Sequence, residues 1–261
     1  MIEIFDGNNV MLRALNDMVL PGQTRMTIRQ RYMTALNAAP GTHIWVWDGY
    51  RHNDRRKEIY PRYKGNREPM AEDMFSQIQL FRELLCLSNA IQVEADGWEA
   101  DDLVGALTHK FAARRVPVTI NTNDLDYAQL SVLPNVTLNG VRRPDDLPPR
   151  WIALYKATVG DPSDNISGIP GFGPKTWEGL KDWWPQLERA IQQGNPGGFA
   201  GLPMPKRIAT WLSSQDNIDL LQAMLLITHF HPVPDETLAK AIKPGRPDYR
   251  AADETMRRYF L

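Results

Sequence analysis

The chain has 261 residues, with 30 Lys and Arg against 31 Asp and Glu, and its net charge is −1. A hydrophobic content of 43% and a charged content of 23% are ordinary for a globular protein, which excludes collagen-like, disordered and disulfide-rich classes. No apolar run reaches the roughly 18 residues of a membrane span, and the N-terminus lacks the pattern of a signal peptide. The single cysteine, Cys86, excludes an internal disulfide and a Cys-rich zinc site, so we expect a reducing compartment such as the cytoplasm.

The first two thirds of the chain alternate short apolar runs with helix-spaced patterns, which is typical of a parallel α/β sheet. The predicted strands are residues 2–5, 43–47, 90–93 and 116–121, and the predicted helices are residues 28–38, 73–87 and 99–115. Residues 136–143 predict a hairpin that turns at an Asn-Gly pair. From about Pro148 onward we expect helices and no strands, because Gly and Pro clusters interrupt the sequence. The predicted domains are therefore an α/β core at 1–147 and a helical region at 148–261.

Acidic residues follow the predicted strands at the point where each strand ends. In open α/β sheets, ligands bind beyond the carboxyl ends of the strands. Nine carboxylates lie at such positions or at the start of the helical region: Asp6, Asp48, Glu99, Asp101, Asp102, Asp124, Asp126, Asp161 and Asp164. If they converge on one rim, their repulsion raises their pKa values, and a hard divalent metal, Mg²⁺ or Mn²⁺, is the usual compensation.

Each of these carboxylates taken alone also fits a turn or a helix cap. Glu99 and Asp102 are three residues apart and share a helix face. Asp101 points elsewhere on a regular helix, so it reaches a metal only if the helix begins later. The same placement in five separate segments favours a metal site over unrelated turns and caps.

A basic segment begins three residues after Asp48. Residues 51–67 hold seven Lys and Arg against two acids, a local charge of +5. Tyr60 and Tyr63 alternate with these cations and offer ring faces beside groups that pair with phosphate. A solvated surface loop is the alternative. Without the nine carboxylates the net charge of −1 would be +8, as expected for a protein that binds DNA.

A Gly- and Pro-rich turn occupies residues 160–176. Three glycines permit tight turns with exposed backbone N–H groups: Gly168, Gly171 and Gly173. A helix is predicted to begin near Pro174-Lys175, and free amides with a lysine form a phosphate site that reads no base. A P-loop is excluded because Pro174 separates Gly173 from Lys175 and no strand precedes the segment. A plain turn between helices is the alternative.

Five stretches of the chain resemble the 5′-nuclease superfamily of flap endonucleases, which includes free-standing bacteriophage 5′-exonucleases and the 5′-nuclease domain of bacterial DNA polymerase I. They are IFDGNN at 4–9, WDG with YPRYKGNR within 47–67, WEADDLVG at 98–105, TNDLDYAQL at 122–130 and GDPSDNISGIPGFGPKT at 160–176. They occur in the family's order over about two thirds of the chain. No polymerase sequence follows these stretches, so we expect the free-standing bacteriophage or bacterial type. Phe172 and Trp177 stand where the family usually has an aliphatic and a small residue.

The resemblance implies a PIN-like, mostly parallel sheet flanked by helices, a helical arch at about 50–90, and a helix–three-turn–helix at about 158–182. It implies hydrolysis of DNA with two or more Mg²⁺ ions, which Mn²⁺ can replace. All nine carboxylates match the family's acidic positions. Lys64 and Arg67 match the catalytic basic residues at the base of the arch, and Tyr63 would stack near the scissile nucleotide. The expected DNA-binding residues are Arg51, Arg62, Gly168, Gly171, Gly173, Lys175 and Thr176.

The expected partners are DNA with 5′ flaps, ends or junctions and, as a further candidate, a replicative polymerase, with the protein itself a monomer. The resemblance also implies K⁺ held by carbonyls at the helix–three-turn–helix. Two alternatives remain open. One is a PIN-type metal-dependent ribonuclease, which a comparison of RNA and DNA flaps separates. The other is a DNA-junction binder whose acids hold a structural metal, which metal-dependent product formation excludes.

Overall fold

The computed structural model describes residues 1–16, 21–144 and 146–260. The chain forms two compact units, the first from residues 1–52, 68–143 and 232–261, and the second from residues 53–67 and 144–231. This grouping differs from the predicted domains at 1–147 and 148–261, because the chain leaves the first unit twice and returns to it. No helix in the described ranges is both long enough and apolar enough to cross a membrane.

The first unit is built on a six-stranded sheet. Its strands are β1 (Ile2–Asp6), β2 (His43–Val46), β3 (Ile91–Val93), β4 (Val118–Asn121), β5 (Val136–Asn139) and β6 (Ile242–Pro244). They lie in the order β5-β4-β1-β2-β3-β6, and every neighbouring pair is parallel except β3 with β6. The mostly parallel sheet flanked by helices confirms the predicted α/β class, and β1 to β4 confirm the four predicted strands.

The α-helices of the described residues are, in chain order, α1 (Gly7–Asn16), α2 (Pro21–Asn37), α3 (Asp54–Ile59), α4 (Glu72–Cys86), α5 (Ala100–Ala113), α6 (Ile152–Val159), α7 (Pro174–Gly179), α8 (Trp184–Gln193), α9 (Lys206–Trp211), α10 (Gln215–Ile227), α11 (Asp235–Ala241) and α12 (Tyr249–Phe260). Helices α3 and α6 to α10 belong to the second unit and the others to the first. The segment predicted as an arch contains α3 and α4, and the arch itself stays a prediction.

Two predictions about strands are wrong. Residues 136–143 do not form a hairpin, because β5 pairs in parallel with β4, with Val136 opposite Val118, and the Asn-Gly pair ends that strand. The prediction of no strand after Pro148 is wrong because β6 forms there. This strand pairs antiparallel with β3 and lies at the edge of the sheet.

Aromatic residues hold the strands that carry the first acidic residues. Phe5 of β1 stacks on Trp45 of β2, with ring centroids 4.4 Å apart, and Trp45 meets Phe81 of α4 edge to face at 4.8 Å. The same core contains Ala252 and Met256 of α12. Such large buried rings contribute strongly to packing energy. The core therefore fixes the positions at which β1 and β2 end.

The second unit has a tryptophan core. Trp177 of α7 stacks on Trp184 of α8 with ring centroids 4.3 Å apart, and the Trp184 indole N–H donates to the Trp177 carbonyl at 3.0 Å. Trp151 adds a third ring at 6.0 Å from Trp184. Phe172 and Trp177, which depart from the family pattern, are both buried, and Trp177 is part of this core.

Candidate functional site

Asp6 is a strongly perturbed carboxylate of the sheet unit. It ends β1, is buried, and accepts hydrogen bonds from the Asn9 backbone N–H and the Thr122 hydroxyl, each at 3.2 Å. Burial, followed by the charges of Asp48 and Asp124, raises the pKa of Asp6 to about 7, although the Asn9 hydrogen bond acts in the opposite direction. Negative charge is therefore concentrated at this strand end.

Asp48 follows β2 by two residues and is held on both of its oxygens. Its Oδ2 accepts from the Asn8 amide at 2.7 Å, and its Oδ1 accepts from the Ala100 backbone N–H at 2.8 Å. Because Ala100 is the first residue of α5, this bond joins the end of β2 to the start of that helix. The carboxylate is thus oriented before any ligand is present.

Three further carboxylates lie at the start of α5. The helix begins at Ala100, one residue later than predicted, and Glu99 is the residue that precedes it. Glu99 and Asp102 are each 1% exposed, which is rare for carboxylates in proteins. Asp101 is only partly buried, and its Oδ1 accepts from the Asp102 backbone N–H at 2.7 Å.

A hydrogen-bonded series leads from Asp126 to Asp6. Asp124 caps a short 3₁₀ helix, Leu125–Val132, by accepting from the Asp126 backbone N–H at 2.9 Å. The Asp124 N–H donates to the Thr122 hydroxyl at 3.1 Å, and that hydroxyl donates to Asp6. The end of β4 is therefore connected to the end of β1 through one threonine side chain.

Tyr127 shows that these carboxylates converge. Its ring is buried, and its pKa lies well above 10 because of burial and of four carboxylate charges, those of Asp6, Asp101, Asp124 and Asp48. These four residues come from four separate segments of the chain, so the structure brings them around one phenol. Tyr127 was not predicted as a site residue from the sequence, although its position directly after Asp126 was the available signal.

The donor set fits a hard divalent cation. Among the described residues, no group of three or more His, Cys, Asp or Glu side chains is placed so that it could hold a metal ion. Mg²⁺ does not require one, since it usually keeps several waters and takes only one or two carboxylates. Carboxylate oxygens suit Mg²⁺ or Mn²⁺ better than softer metals. The raised pKa of Asp6 marks a charge that a cation would compensate.

Asp161 and Asp164 of the second unit are paired with a buried lysine. The Lys156 ammonium lies 2.7 Å from Asp161 Oδ2 and 4.0 Å from Asp164 Oδ2, and Lys156 is 7% exposed. Burial alone would raise the pKa of Asp161, but Lys156 and hydrogen bonds from Ser163 outweigh it and lower that pKa. Lys156 was not predicted as a partner of these aspartates, because it lies in an apolar helix. The metal-binding role of Asp161 and Asp164 stays a prediction.

The basic segment is attached to the turn that carries these aspartates. Arg67 pairs with Asp164 at 2.9 Å and donates from Nε to the Ser163 carbonyl at 3.2 Å. The Lys64 backbone N–H donates to the Asp164 carbonyl at 3.0 Å. These bonds hold residues 64–67 in a defined conformation, so the segment is not a loosely solvated loop.

Tyr63 has a different position from the one predicted for it. Its ring is 2% exposed, and the Lys64 ammonium lies 4.8 Å from the ring centroid. A buried ring already covered by a cation has no face open to a nucleotide, so the expected stacking does not fit this structure. The contact instead holds Lys64, whose backbone is left-handed with φ of 50°.

The Gly-rich turn places basic side chains beside its glycines. Gly171, with φ of +81°, lies beside the Arg207 guanidinium, which a Cβ on Gly171 would approach to 3.2 Å. Gly173 precedes α7, on which Lys175 is exposed and Thr176 partly exposed. Arg207 was not predicted from the sequence, because it lies about 30 residues beyond the turn. Arg51 and Arg62 are also exposed.

Gly168→Ala should destabilise the protein by roughly 2–4 kcal/mol, because strained backbone alone costs 1–3 kcal/mol and a steric clash adds to it. Gly168 has φ of +65°, and a Cβ there would lie 2.6 Å from the Gly160 nitrogen. Urea unfolding measures the change. Gly179→Ala is the control, since no atom lies within 4 Å of its added Cβ. Equal stability of the Gly168 variant and the parent would contradict the steric argument.

The family of 5′-3′ exonuclease N-terminal, resolvase-like domains matches residues 2–147. The chain belongs to this family. DNA polymerase I of Caldicellulosiruptor bescii is 30% identical over 212 residues, which is 72% of this chain and 25% of the polymerase. Thermostable DNA polymerase I of Thermus filiformis is 37% identical over 147 residues, 52% of this chain and 18% of that protein. The chain thus spans about a quarter or less of these polymerases, and the match confirms the family that the motifs indicated.

Solved structures of bacteriophage T5 nuclease share the fold. T5 5′-exonuclease with bound zinc has a TM-score of 0.64 and 21% identity over 98% of this chain and 97% of the T5 chain. T5 flap endonuclease with DNA and metal ions has a TM-score of 0.56 and 20% identity over 98% and 99% of the two chains. At these identities the comparison shows the fold alone. The helix–three-turn–helix stays a prediction.

Proposed function

We propose that this protein is a divalent-metal-dependent, structure-specific 5′ nuclease, with flap-endonuclease and 5′-3′ exonuclease activity, that hydrolyses DNA phosphodiesters in replication or repair. The observation that carries the proposal is the carboxylate cluster around Tyr127, at the ends of β1, β2 and β4, in a chain of the 5′-3′ exonuclease family. The T5 flap endonuclease described with DNA and metal ions supports the same substrate class.

The proposed cofactor is Mg²⁺, two or more ions, with Mn²⁺ as a substitute. The residues proposed to hold a first ion, directly or through its waters, are Asp6, Asp48, Glu99 and Asp102, and those proposed to hold a second in the same way are Asp124 and Asp126. Such ions supply a nucleophilic water at neutral pH and stabilise charge on the attacking and leaving oxygens. Asp101 is a further candidate ligand, while Asp161 and Asp164 remain candidates within the second unit, where a metal would compete with Lys156.

Neighbouring groups of the chain orient the proposed ligands. Thr122 and the Asn9 N–H fix Asp6, while Asn8 and the Ala100 N–H fix Asp48. Hydrogen bonds of this kind to the ligand carboxylates support metal binding in comparable sites.

Two basic side chains of the second unit have a catalytic role in this proposal. Lys64 and Arg67 offset the charge that develops on the phosphate. Tyr63 is a positioning residue, which holds Lys64 through its ring.

DNA binding is assigned to the exposed basic residues and the Gly-rich turn. The residues proposed for it are Arg51, Arg62, Gly168, Gly171, Gly173, Lys175, Thr176 and, newly, Arg207. Contacts with backbone phosphates need no base readout and so suit a nuclease that selects DNA by its structure. We also propose K⁺ binding by carbonyl oxygens of the turn.

Lys175→Ala should weaken DNA binding on every sequence and reduce the slope of log K against log salt by about one, because one phosphate contact is lost. The measurement is binding to a flap duplex in EDTA at several salt concentrations. Lys181→Ala is the control, since Lys181 is exposed and pairs with Glu178 at 3.4 Å. An unchanged salt slope in the Lys175 variant would remove this residue from the interface.

The activity is tested with a 5′-labelled DNA flap, incubated with Mg²⁺, with Mn²⁺ or with EDTA. The expected result is a flap-length fragment that requires metal, is absent with Asp124→Asn, and persists with the exposed-residue control Asp182→Asn. Mononucleotides alone would indicate a mainly exonucleolytic enzyme. A preference for an RNA flap would support the ribonuclease alternative, and no product with either metal would refute the enzyme proposal.

The remaining parts of the proposal concern partners and location. DNA with 5′ flaps, ends or junctions is the proposed substrate, and a replicative polymerase is a proposed partner, supported by the similarity to DNA polymerase I. We propose that the protein acts as a monomer. We also propose that it is located in the cytoplasm, and its single cysteine supports such a reducing compartment.

A further inference from the structure

A small basic cavity lies beside the strand ends of the first unit, on the side of β4 and β5. Its volume is about 170 Å³, and its walls include Arg13 of α1, Arg31 of α2, Asn121 of β4 and Asn139 of β5. The residues that line it in the described part of the chain include two arginines and no acid. Nothing in the proposed cleavage reaction uses these groups.

Two residues that line this cavity each carry a buried donor without a hydrogen-bond partner among the described residues. These donors are the Nε of Arg31 and the Nδ2 of Asn121. Asn139 donates to the Oδ1 of Asn121 at 2.8 Å, which fixes the amide and leaves its Nδ2 as the remaining donor. Buried polar groups are nearly always satisfied, and an unsatisfied one commonly marks the place of a water or an ion.

The charges at the cavity require an acceptor. Burial and the charge of Arg13 lower the pKa of Arg31, so the two guanidinium groups repel each other. A guanidinium has five donors and no acceptor, and Asn121 contributes a further donor. An anion with several oxygens offers acceptors to more than one of these donors at once.

We propose that this cavity binds a phosphate group. Arginine favours phosphate because its planar fork makes two parallel hydrogen bonds to the oxygens. Small-molecule sites usually occupy about 300–1,000 Å³, so a cavity of about 170 Å³ accepts one phosphate and not a whole nucleotide. This binding goes beyond the proposed hydrolysis, because it needs neither metal nor cleavage.

Thr122 relates this phosphate site to the carboxylate cluster. It lines the cavity, and its hydroxyl donates to Asp6 at 3.2 Å. Thr122 therefore contacts both the proposed phosphate site and Asp6, one of the proposed metal ligands. Such a phosphate belongs either to a DNA strand or to a free phosphate compound such as a mononucleotide, and both present the same oxygens.

The first experiment measures thermal unfolding of the full chain in EDTA, with inorganic phosphate or with chloride at equal ionic strength. We expect phosphate to raise the melting temperature of the parent by several degrees. The rise should be lost in Arg31→Gln and in Arg13→Gln, and kept in Arg29→Gln, which removes an exposed arginine from the same helix α2. Arg13 is exposed, so its variant keeps the test valid if Arg31→Gln does not fold.

The second experiment separates the two sources of phosphate by measuring binding of a flap duplex in EDTA across salt concentrations. If a DNA strand fills the cavity, the salt slope of both arginine variants falls by about one relative to Arg29→Gln. If a free phosphate compound fills it, the slope is unchanged while phosphate stabilisation is lost. The proposal is overturned if phosphate does not stabilise the parent, or stabilises the variants equally. Both experiments exclude metal, so failure of flap cleavage would not affect them.

Discussion

Asp6→Asn should abolish cleavage and, at the same time, make the metal-free protein more stable at pH 8. The Asp6 carboxyl has a pKa of about 7 in the folded protein against 3.8 as its ordinary value. Each pH unit between the two values is worth about 1.4 kcal/mol, so holding this charge costs on the order of 4 kcal/mol. An amide of the same shape keeps an oxygen acceptor and carries no charge, and we expect it to recover about 2–4 kcal/mol.

The pH dependence follows from the sign of this shift. Below about pH 4 the carboxyl is protonated in both folded and unfolded chains, so Asp6 imposes no penalty. Between pH 4 and 7 the unfolded chain ionises first, and the stability of the folded state falls as pH rises. Above pH 7 the carboxyl is ionised in both states, so its cost to the stability of the folded protein is constant. The parent should therefore lose stability across this window relative to Asp6→Asn.

Thermal unfolding in EDTA from pH 4 to 8 measures this difference. We expect the melting temperature of Asp6→Asn to exceed that of the parent by roughly 5–10 °C at pH 8, with little difference at pH 4. Asp96→Asn, at an exposed position of the same unit, is the control. Added Mg²⁺ should stabilise the parent more than the variant. A variant that is less stable than the parent at pH 8 would contradict the account of Asp6.

Lys64→Ala should lower turnover by about 100-fold or more while DNA binding in EDTA stays nearly unchanged. Removing one group that stabilises charge in the transition state typically costs 10²–10³ in rate. The position of Lys64 over the buried Tyr63 ring, on a left-handed backbone, shows that its ammonium is held in place. The effect should therefore appear in kcat and not in substrate binding.

Single-turnover cleavage at saturating enzyme, with separate binding measurements, tests this assignment. Lys57→Ala is the matched control, because Lys57 is an exposed lysine on α3 of the same unit. Tyr63→Leu should reduce turnover by a smaller factor, since it removes the support of Lys64 but leaves the ammonium. Full activity of the Lys64 variant would remove it from the catalytic residues.

The sheet was predictable where the sequence pattern is local and strong. β1, β2 and β4 are apolar runs whose carboxyl ends carry acids, and the fold places these acids as expected. The error at β5 arose because an Asn-Gly pair is a strong local hairpin signal, whereas the parallel pairing of β5 with β4 depends on distant residues. β6 has three exposed residues, one of them Pro244, so it carries no apolar pattern to detect.

The candidate site was predictable in residue type but not in partners. Tyr127 and Lys156 follow apolar patterns that fit a core, and only the folded structure shows which charges surround them. The ring of Tyr63 was predicted to be exposed, because it lies among cations in the sequence, but the structure buries it. Periodicity distinguishes buried from exposed faces, but it does not identify which buried groups meet.

The late return of the chain to the sheet has a consequence for synthesis. Residues 232–261 supply β6 and α12, which cover the edge of β3 and complete the core around Trp45. A ribosome makes these residues after the whole second unit. Until residue 244 has emerged, β3 remains an open strand edge, the type of surface that pairs with other chains. The nascent protein therefore exposes this strand edge to other chains until β6 has been made.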